Sequence, residues 1–395
     1  MANSLLTPTA VTREIQRVLH EKAQFISTIN RSYDDSYAQT GAKIGDSLKI
    51  RLPNKYTVRT GKTLNAQDTS ETSVTMTVAT QKGVDMNFST AELTMDLDDF
   101  SKRIIEPAVS VLISNIEYDA LTSMTKKVYN QVGTAGTVPA AALVWNQARA
   151  KLNQYLAPKD NNRSVQCDSI AMSTTASAVG ALFNPQQATG KMITEGYYGK
   201  LSGLNFYENE RVYAHTVGGD VAGTINDASI ADGDSTLTIA NMSAAPAVGD
   251  VFTIANVYAV HPETKQAYSH LQQFVVTDTV TPTTTAISFS PAYYSSGANQ
   301  NVNALPVTTA ALTFTGTATT SYSQSLAYHR DAFAFATADL ELPQGVHFAA
   351  REVMDGISVR LVRQYDINND NIPCRLDILY GYKEIRPEMA VRVTS

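Results

Sequence analysis

Six histidines, His20, His215, His261, His270, His329 and His347, are the residues here most suited to proton transfer or metal ligation near neutral pH. No two stand four apart, the spacing that puts both rings on one helix face. His329 and Asp331 could be half of a nucleophile-activating pair, but no serine is marked out beside them, so they read as exposed polar residues. Asp366-Ile367-Asn368-Asn369-Asp370 opens like a calcium loop. Such a loop needs glycine at its sixth position to turn and glutamate at its twelfth to supply a bidentate carboxylate. Asn371 and Asp377 occupy those positions, and the segment reads as a hairpin turn. Cys167 and Cys374 fit no metal-ligand spacing and sit among alternating apolar residues, as reduced core thiols do. Gly190, Gly196, Gly199 and Gly203 are too dispersed to cradle a phosphate. No catalytic, cofactor or metal site is expected.

One cluster of charge stands out. Lys43, Lys49, Arg51, Lys55, Arg59 and Lys62 face a single acid, Asp46. Only Tyr56 interleaves them, so they lack the stacking residues of a single-strand binder, and a pI near 5.6 offers nucleic acid no general attraction. The segment carrying them alternates as strands do: Leu48, Ile50 and Leu52, then Val74, Met76 and Val78, then Val84, Met86 and Phe88, with a polar tip between. Residues 45–90 read as one long antiparallel hairpin. An isolated hairpin is marginal in water, so it must dock, either on its own domain or on an acidic patch of a neighbouring subunit.

The elements around it follow from periodicity. Pro8 opens a helix over roughly 8–29, with Val11, Ile15, Val18, Phe25, Ile26 and Ile29 on one stripe. A short helix near Asp99–Ile105 precedes a long one, with Pro107 in its first turn, running to about Val132. Trp145, Ala148, Leu152 and Tyr155 trace another helix. Val165, Cys167, Ile170 and Met172 follow as a strand, and a helix starts after Ser173 and ends near Phe183. At the C-terminal end, Ile357–Leu361 and Cys374–Tyr380 form a hairpin.

Charge also divides the chain. Of 31 Lys+Arg and 37 Asp+Glu, Val217–Ser325 holds seven acids and one base, which leaves 30 of each elsewhere. A composition step on both sides of one Thr/Ala/Ser-rich block marks an inserted domain, about 213–325, made of short strands at near-regular spacing. Hydrophobic content of 43% and charged content of 17% are globular values. No apolar run of about 18 residues, the length a helix needs to cross a bilayer, occurs. Met1–Thr9 lacks the basic-then-apolar pattern of a secretion signal.

Three stretches, in this order, resemble the major capsid proteins of tailed double-stranded-DNA phages, of the type with an insertion domain. They are Ser101–Leu112 through Glu117 and Leu121, Val248–Val260 with Leu271–Val276, and Leu379–Glu388. The resemblance implies an α+β tailed-phage/herpesvirus-type capsid fold. Its parts would be an N-terminal arm and helix (1–44), an extended loop (45–90), a peripheral domain with spine helix (91–136), an axial domain (137–212), the inserted all-β domain (213–325), and a return to the axial and peripheral sheet (326–395). It implies self-assembly as hexamers and pentamers into an icosahedral virion shell around the genome. Implied partners are a separate scaffolding protein, a portal at one vertex and packaged DNA without sequence-specific contacts, with no membrane, and assembly in the host cytoplasm. About ten residues precede the first helix, which favours a separate scaffold over a cleavable scaffolding segment. Lys49, Arg51, Lys55, Arg59 and Lys62 would make inter-subunit contacts through the extended loop. The rivals are a tail, fibre or decoration protein, disfavoured by the long Pro107 helix, and a hydrolase with a β accessory domain, disfavoured by the missing acid–base cluster.

Overall fold

The computed structural model describes residues 23–32, 47–64, 66–68, 71–89, 106–180, 199–278, 286–354, 357–368 and 371–395. Most of the first expected helix, the one at Asp99–Ile105, Lys43 and the turn at Asn184-Pro185 lie outside these residues. In chain order a short helix α1 (Gln24–Thr28) precedes β1 (Ser47–Arg51), β2 (Ser73–Thr77) and β3 (Thr80–Ser89), then the long helix α2 (Glu106–Thr125). A mixed stretch follows: β4 (Gln131–Val132), α3 (Ala142–Gln154), β5 (Arg163–Cys167), α4 (Ser169–Gly180), β6 (Lys200–Leu201), β7 (Leu204–Glu208) and β8 (Ala214–Thr216). Strands then run on as β9 (Ala222–Ile225), β10 (Thr236–Ala240), β11 (Val251–Val260), β12 (Ala267–Val276), β13 (Ala286–Ser290) and β14 (Ala311–Phe314). The last six are β15 (Ser321–His329), β16 (Phe333–Ala338), β17 (Phe348–Met354), β18 (Ile357–Arg363), β19 (Asn371–Glu384) and β20 (Ala390–Thr394).

Two compact units share these elements. The first takes the described residues of Met1–Ile50, Ser73–Ala120 and Phe333–Ile385. Its antiparallel sheet runs β16-β19-β18-β17, with β3 along β19 from Thr80↔Tyr380 to Ser89↔Asn371. This corrects the hairpin reading. Among the described residues β1 pairs with β2 alone, while the stretch holding Val84 and Met86 joins a larger sheet, because a two-stranded ribbon alone buries too little. Gly83 permits the close pairing: a Cβ there would strike the carboxylate of fully buried Asp377. That carboxylate accepts from Arg360 Nη2 at 2.7 Å and Arg375 Nε at 2.8 Å. On α2, Val109, Leu112, Ile113, Ile116 and Ala120 form the buried stripe, and Glu117 Oε1 accepts from Phe25 N at 2.7 Å, fixing the start of α1.

The second unit takes the described residues of Arg51–Thr72, Leu121–Ala332 and Arg386–Ser395. One of its two β assemblies is a mixed sheet in the order β4-β20-β15-β5-β7-β6, with β8 on β15. Trp145, Ala148 and Leu152 bury one face of α3, and Trp145 Nε1 donates to Thr175 Oγ1 at 3.1 Å on α4. Helix α4 begins at Ser169, so Ile170 and Met172 are helical and not in the strand. Asp168 Oδ1 accepts from Ala171 N at 2.9 Å and so caps the first turn. Helix α2 stops at Thr125, short of the expected Val132, because residues 131–132 pair parallel with β20.

The other assembly is a closed six-stranded barrel, β10-β13-β12-β11-β14-β9. Alternate residues point inward, so Phe252, Phe274, Phe289, Phe314 and Tyr293 meet in one core. Phe252 lies 5.6 Å from Phe274 and 5.3 Å from Phe314, ring centre to ring centre. Closure leaves no unpaired edge to aggregate.

Candidate assembly surface

The basic residues singled out in the sequence sit on β1 and in the loop that joins it to β2. Arg51 Nη1 pairs with Glu71 Oε2 at 2.9 Å across the base of the loop. The Arg59 guanidinium turns back onto the carbonyls of Gly61 and Thr63. Higher up, Gln67 bridges the limbs: its Oε1 accepts from Thr57 N at 2.8 Å, and its Nε2 donates to Thr57 O at 2.6 Å. The loop therefore holds its shape with its own groups. Two of the five candidate residues are spent on that shape. Lys49, Lys55 and Lys62 are exposed and make no hydrogen bond or ion pair among the described residues.

Large apolar side chains lie between and just beyond these lysines in sequence. Tyr56 is 59% exposed, Val58 94% and Leu64 82%. Sequence reasoning named Tyr56 only as a lone aromatic and passed over Val58 and Leu64, although three large apolar residues near a polar tip were a visible signal. Apolar groups held in solvent on a shaped loop are what a docking element presents. The charge of Lys55 is also felt at Glu388. Burial pushes that carboxyl up, while its own backbone hydrogen bond, then the charges of Lys55 and Arg386, draw it back down.

The acids of the barrel have a different role. Asp220 accepts from Val221 N at 2.8 Å and Ser243 N at 2.7 Å, Asp227 from Ser229 N at 3.0 Å, and Asp232 from Ser295 N at 2.7 Å. Hydrogen bonds from the Ser243, Ser229 and Ser295 backbones hold the three carboxyls below the usual carboxylate range. Asp220, Asp227 and Asp232, three of the insertion's seven acids, are thus turn staples, each satisfying backbone donors that a short strand leaves open.

The remaining chemistry-capable residues are structural in this geometry. His329 is buried, which corrects the exposed reading. Its Nε2 lies 3.0 Å from Asp160 Oδ1, and Asp331 N donates to its Nδ1 at 3.2 Å. Burial works against the Asp160 charge, but hydrogen bonds from Asn162 and His329 prevail and hold that carboxyl low. Burial pushes the thiols of Cys167 and Cys374 up to about 12, so neither is a thiolate at neutral pH. Asp366 Oδ1 accepts from Asn368 N at 3.0 Å, and Asp366 N donates to Asn371 O at 2.8 Å, a hairpin turn. Among the described residues no three His, Cys, Asp or Glu side chains are grouped to hold a metal, and no helix is long and apolar enough to cross a membrane.

Residues 211–394, from just before β8 to the end of β20, match the protein family described as P22 coat protein, gene protein 5. Among solved structures, one from Mycobacterium phage Che8 is similar at 12% identity, covering 94% of this chain and 90% of that one, with a TM-score of 0.48. The capsid of Ralstonia phage GP4 is similar at 8% identity, covering 95% and 91%, with a TM-score of 0.41. The CUS-3 coat protein I-domain is similar at 26% identity over 24% of this chain and 94% of that one, with a TM-score of 0.19. No curated protein matches the chain in sequence.

Proposed function

We propose that the chain is a major capsid protein of the tailed double-stranded-DNA phages, with their α+β capsid fold and a place in the virion's icosahedral shell, and that the basic loop between β1 and β2 is its reaching contact. The observation that carries this reading is a loop stiffened by its own hydrogen bonds while three lysines and three large apolar side chains face solvent. A ring or shell contact is heterologous, so each subunit needs two different complementary faces. The lysines supply direction and the apolar residues supply area, since an exposed ion pair contributes only about 0–1 kcal/mol.

The subunits would gather as hexamers and pentamers, assembled in the host cytoplasm on a separate scaffolding protein, with a portal at one vertex. The shell would enclose DNA without reading its sequence. In this reading assembly needs no bond-making chemistry, and no residue acts as a catalyst. The domain divisions expected from the resemblance are retained as part of the proposal, with 213–325 as the inserted passenger.

Negative-stain microscopy of the expressed chain, with and without its scaffolding protein, tests the reading: shells or tubes are expected, and discrete small oligomers would overturn it. The contact itself is tested by reversing Lys49, Lys55 and Lys62 to glutamate together. Arg51 and Arg59 are unsuitable because changing them alters the loop. The triple variant is expected to keep its circular dichroism and to sediment as unassembled subunits. Normal particles from it would remove the loop's charge from the mechanism.

A further inference from the structure

The two ends of the barrel segment leave the mixed sheet side by side, with Thr216 on β8 opposite Ser321 on β15. A two-strand stem of this kind is a natural swivel. Here three separate contacts surround it. Arg392, on β20 and entirely buried, donates from Nε to Val128 O at 2.7 Å, from Nη1 to Gly249 O at 2.8 Å and from Nη2 to Lys126 O at 3.1 Å. One planar guanidinium thereby joins the sheet, the end of α2 and the base of the barrel, using the fork geometry that a lysine lacks. Beside Gly249, the buried Asp250 accepts from His215 Nε2 at 2.7 Å, Gly218 N at 3.0 Å and Ala247 N at 2.7 Å. The Tyr213 hydroxyl meets His215 Nδ1 at 3.0 Å.

The third contact imitates a strand. Gln273 on β12 accepts at Oε1 from Gln131 N at 3.0 Å and donates from Nε2 to Gln131 O at 2.9 Å. Its carboxamide extends the edge of β4 by one rung. Val251 and Val275 pack with Tyr129 and partly buried Tyr155 beside it. A buried guanidinium and a buried carboxylate each lose heavily when a partner is withdrawn before water can reach them. A small swing of the barrel would strand both at once.

We propose that Arg392, Asp250 and Gln273 are positioning residues of a rigid joint that fixes the barrel's orientation on the mixed sheet. The barrel then moves with that sheet as one body. In a shell this would make the passenger a fixed feature of the subunit surface rather than a tethered ball. Only that consequence rests on the capsid reading.

The test uses the full chain as unassembled subunits, so its outcome is separate from whether shells form. Ala150→Cys on α3 and Val307→Cys on the barrel, both exposed, would carry spin labels, while the native thiols are buried. Pulsed dipolar spectroscopy is expected to give one narrow distance distribution. Asp250→Asn and Arg392→Lys should each broaden it roughly twofold while the barrel's aromatic circular dichroism is kept. Gln273→Leu removes only the strand mimic and should broaden it less; it decides the matter if the buried-charge variants fail to fold. A broad distribution in the unsubstituted chain overturns the joint, as does one that Gln273→Leu and every folded buried-charge variant leave unchanged.

Discussion

Asp377 shows how far a residue's role depends on what covers it. In the sequence it alternates with Leu376 and Ile378 and fills the failed twelfth position of a calcium-like loop. In the fold it is wholly buried between Arg360, itself nearly buried, and the half-exposed Arg375. Asp377→Ala would leave the Arg360 guanidinium in the interior without its carboxylate, at a cost on the order of 3–5 kcal/mol. Urea unfolding measures this, and a loss below about 1 kcal/mol would show that water replaces the pair. His329 makes the same point: its neighbour Asp331 was visible in sequence, but Asp160, its closer partner, is brought in from 169 residues away. Local spacing carries no information about such a partner. The basic residues were legible, because charge is written directly in the side chain. Which of them bend back to the loop's own carbonyls was not.

At the scale of elements, the seam between α3 and β12 sets a pH dependence. Burial lowers Lys151 on α3 to about 8. On β12, burial first and the Lys151 charge second push His270 down to about 4. Tyr155 bridges the two elements, its hydroxyl donating to Gln272 Oε1 at 3.0 Å. As pH falls below about 6.5 the unfolded chain protonates His270 while the folded chain resists, so stability is full above that value and is lost towards pH 4. Lys151 acts in the same direction at higher pH: the folded state gains stability as pH rises from about 8 towards the ordinary lysine value. Thermal melts across pH 4–7 should show the first slope, and His270→Phe should flatten it; an unchanged slope would place the titration elsewhere. The helices themselves were readable from 3.6-residue periodicity, Trp145-Ala148-Leu152 above all. Their ends were not. Parallel pairing of residues 131–132 with β20 cuts α2 short, and an aspartate cap starts α4 early.

For the molecule as a whole, the barrel is the part whose core is self-contained. Its aromatic cluster and its closed strand order need nothing from outside residues 213–325. That fragment expressed alone is expected to fold cooperatively, yet to melt below the barrel in the full chain, because Arg392 and Gln131 are missing from its base. Calorimetry with near-ultraviolet circular dichroism checks both halves of the expectation; a non-cooperative melt would mean that the sheet is required for folding. By itself the sequence determined the class of each long element, the β character of the low-base block and the placement of most basic charge ahead of it. These depend on composition and short-range periodicity, which a chain carries in any conformation. Only the tertiary structure decided that β3 leaves the hairpin for β19, that three of the insertion's acids are turn staples, and that Arg392 ties three distant segments together. Each of these joins residues far apart in the chain, so it exists only once folding has brought buried charge and unpaired backbone to their partners.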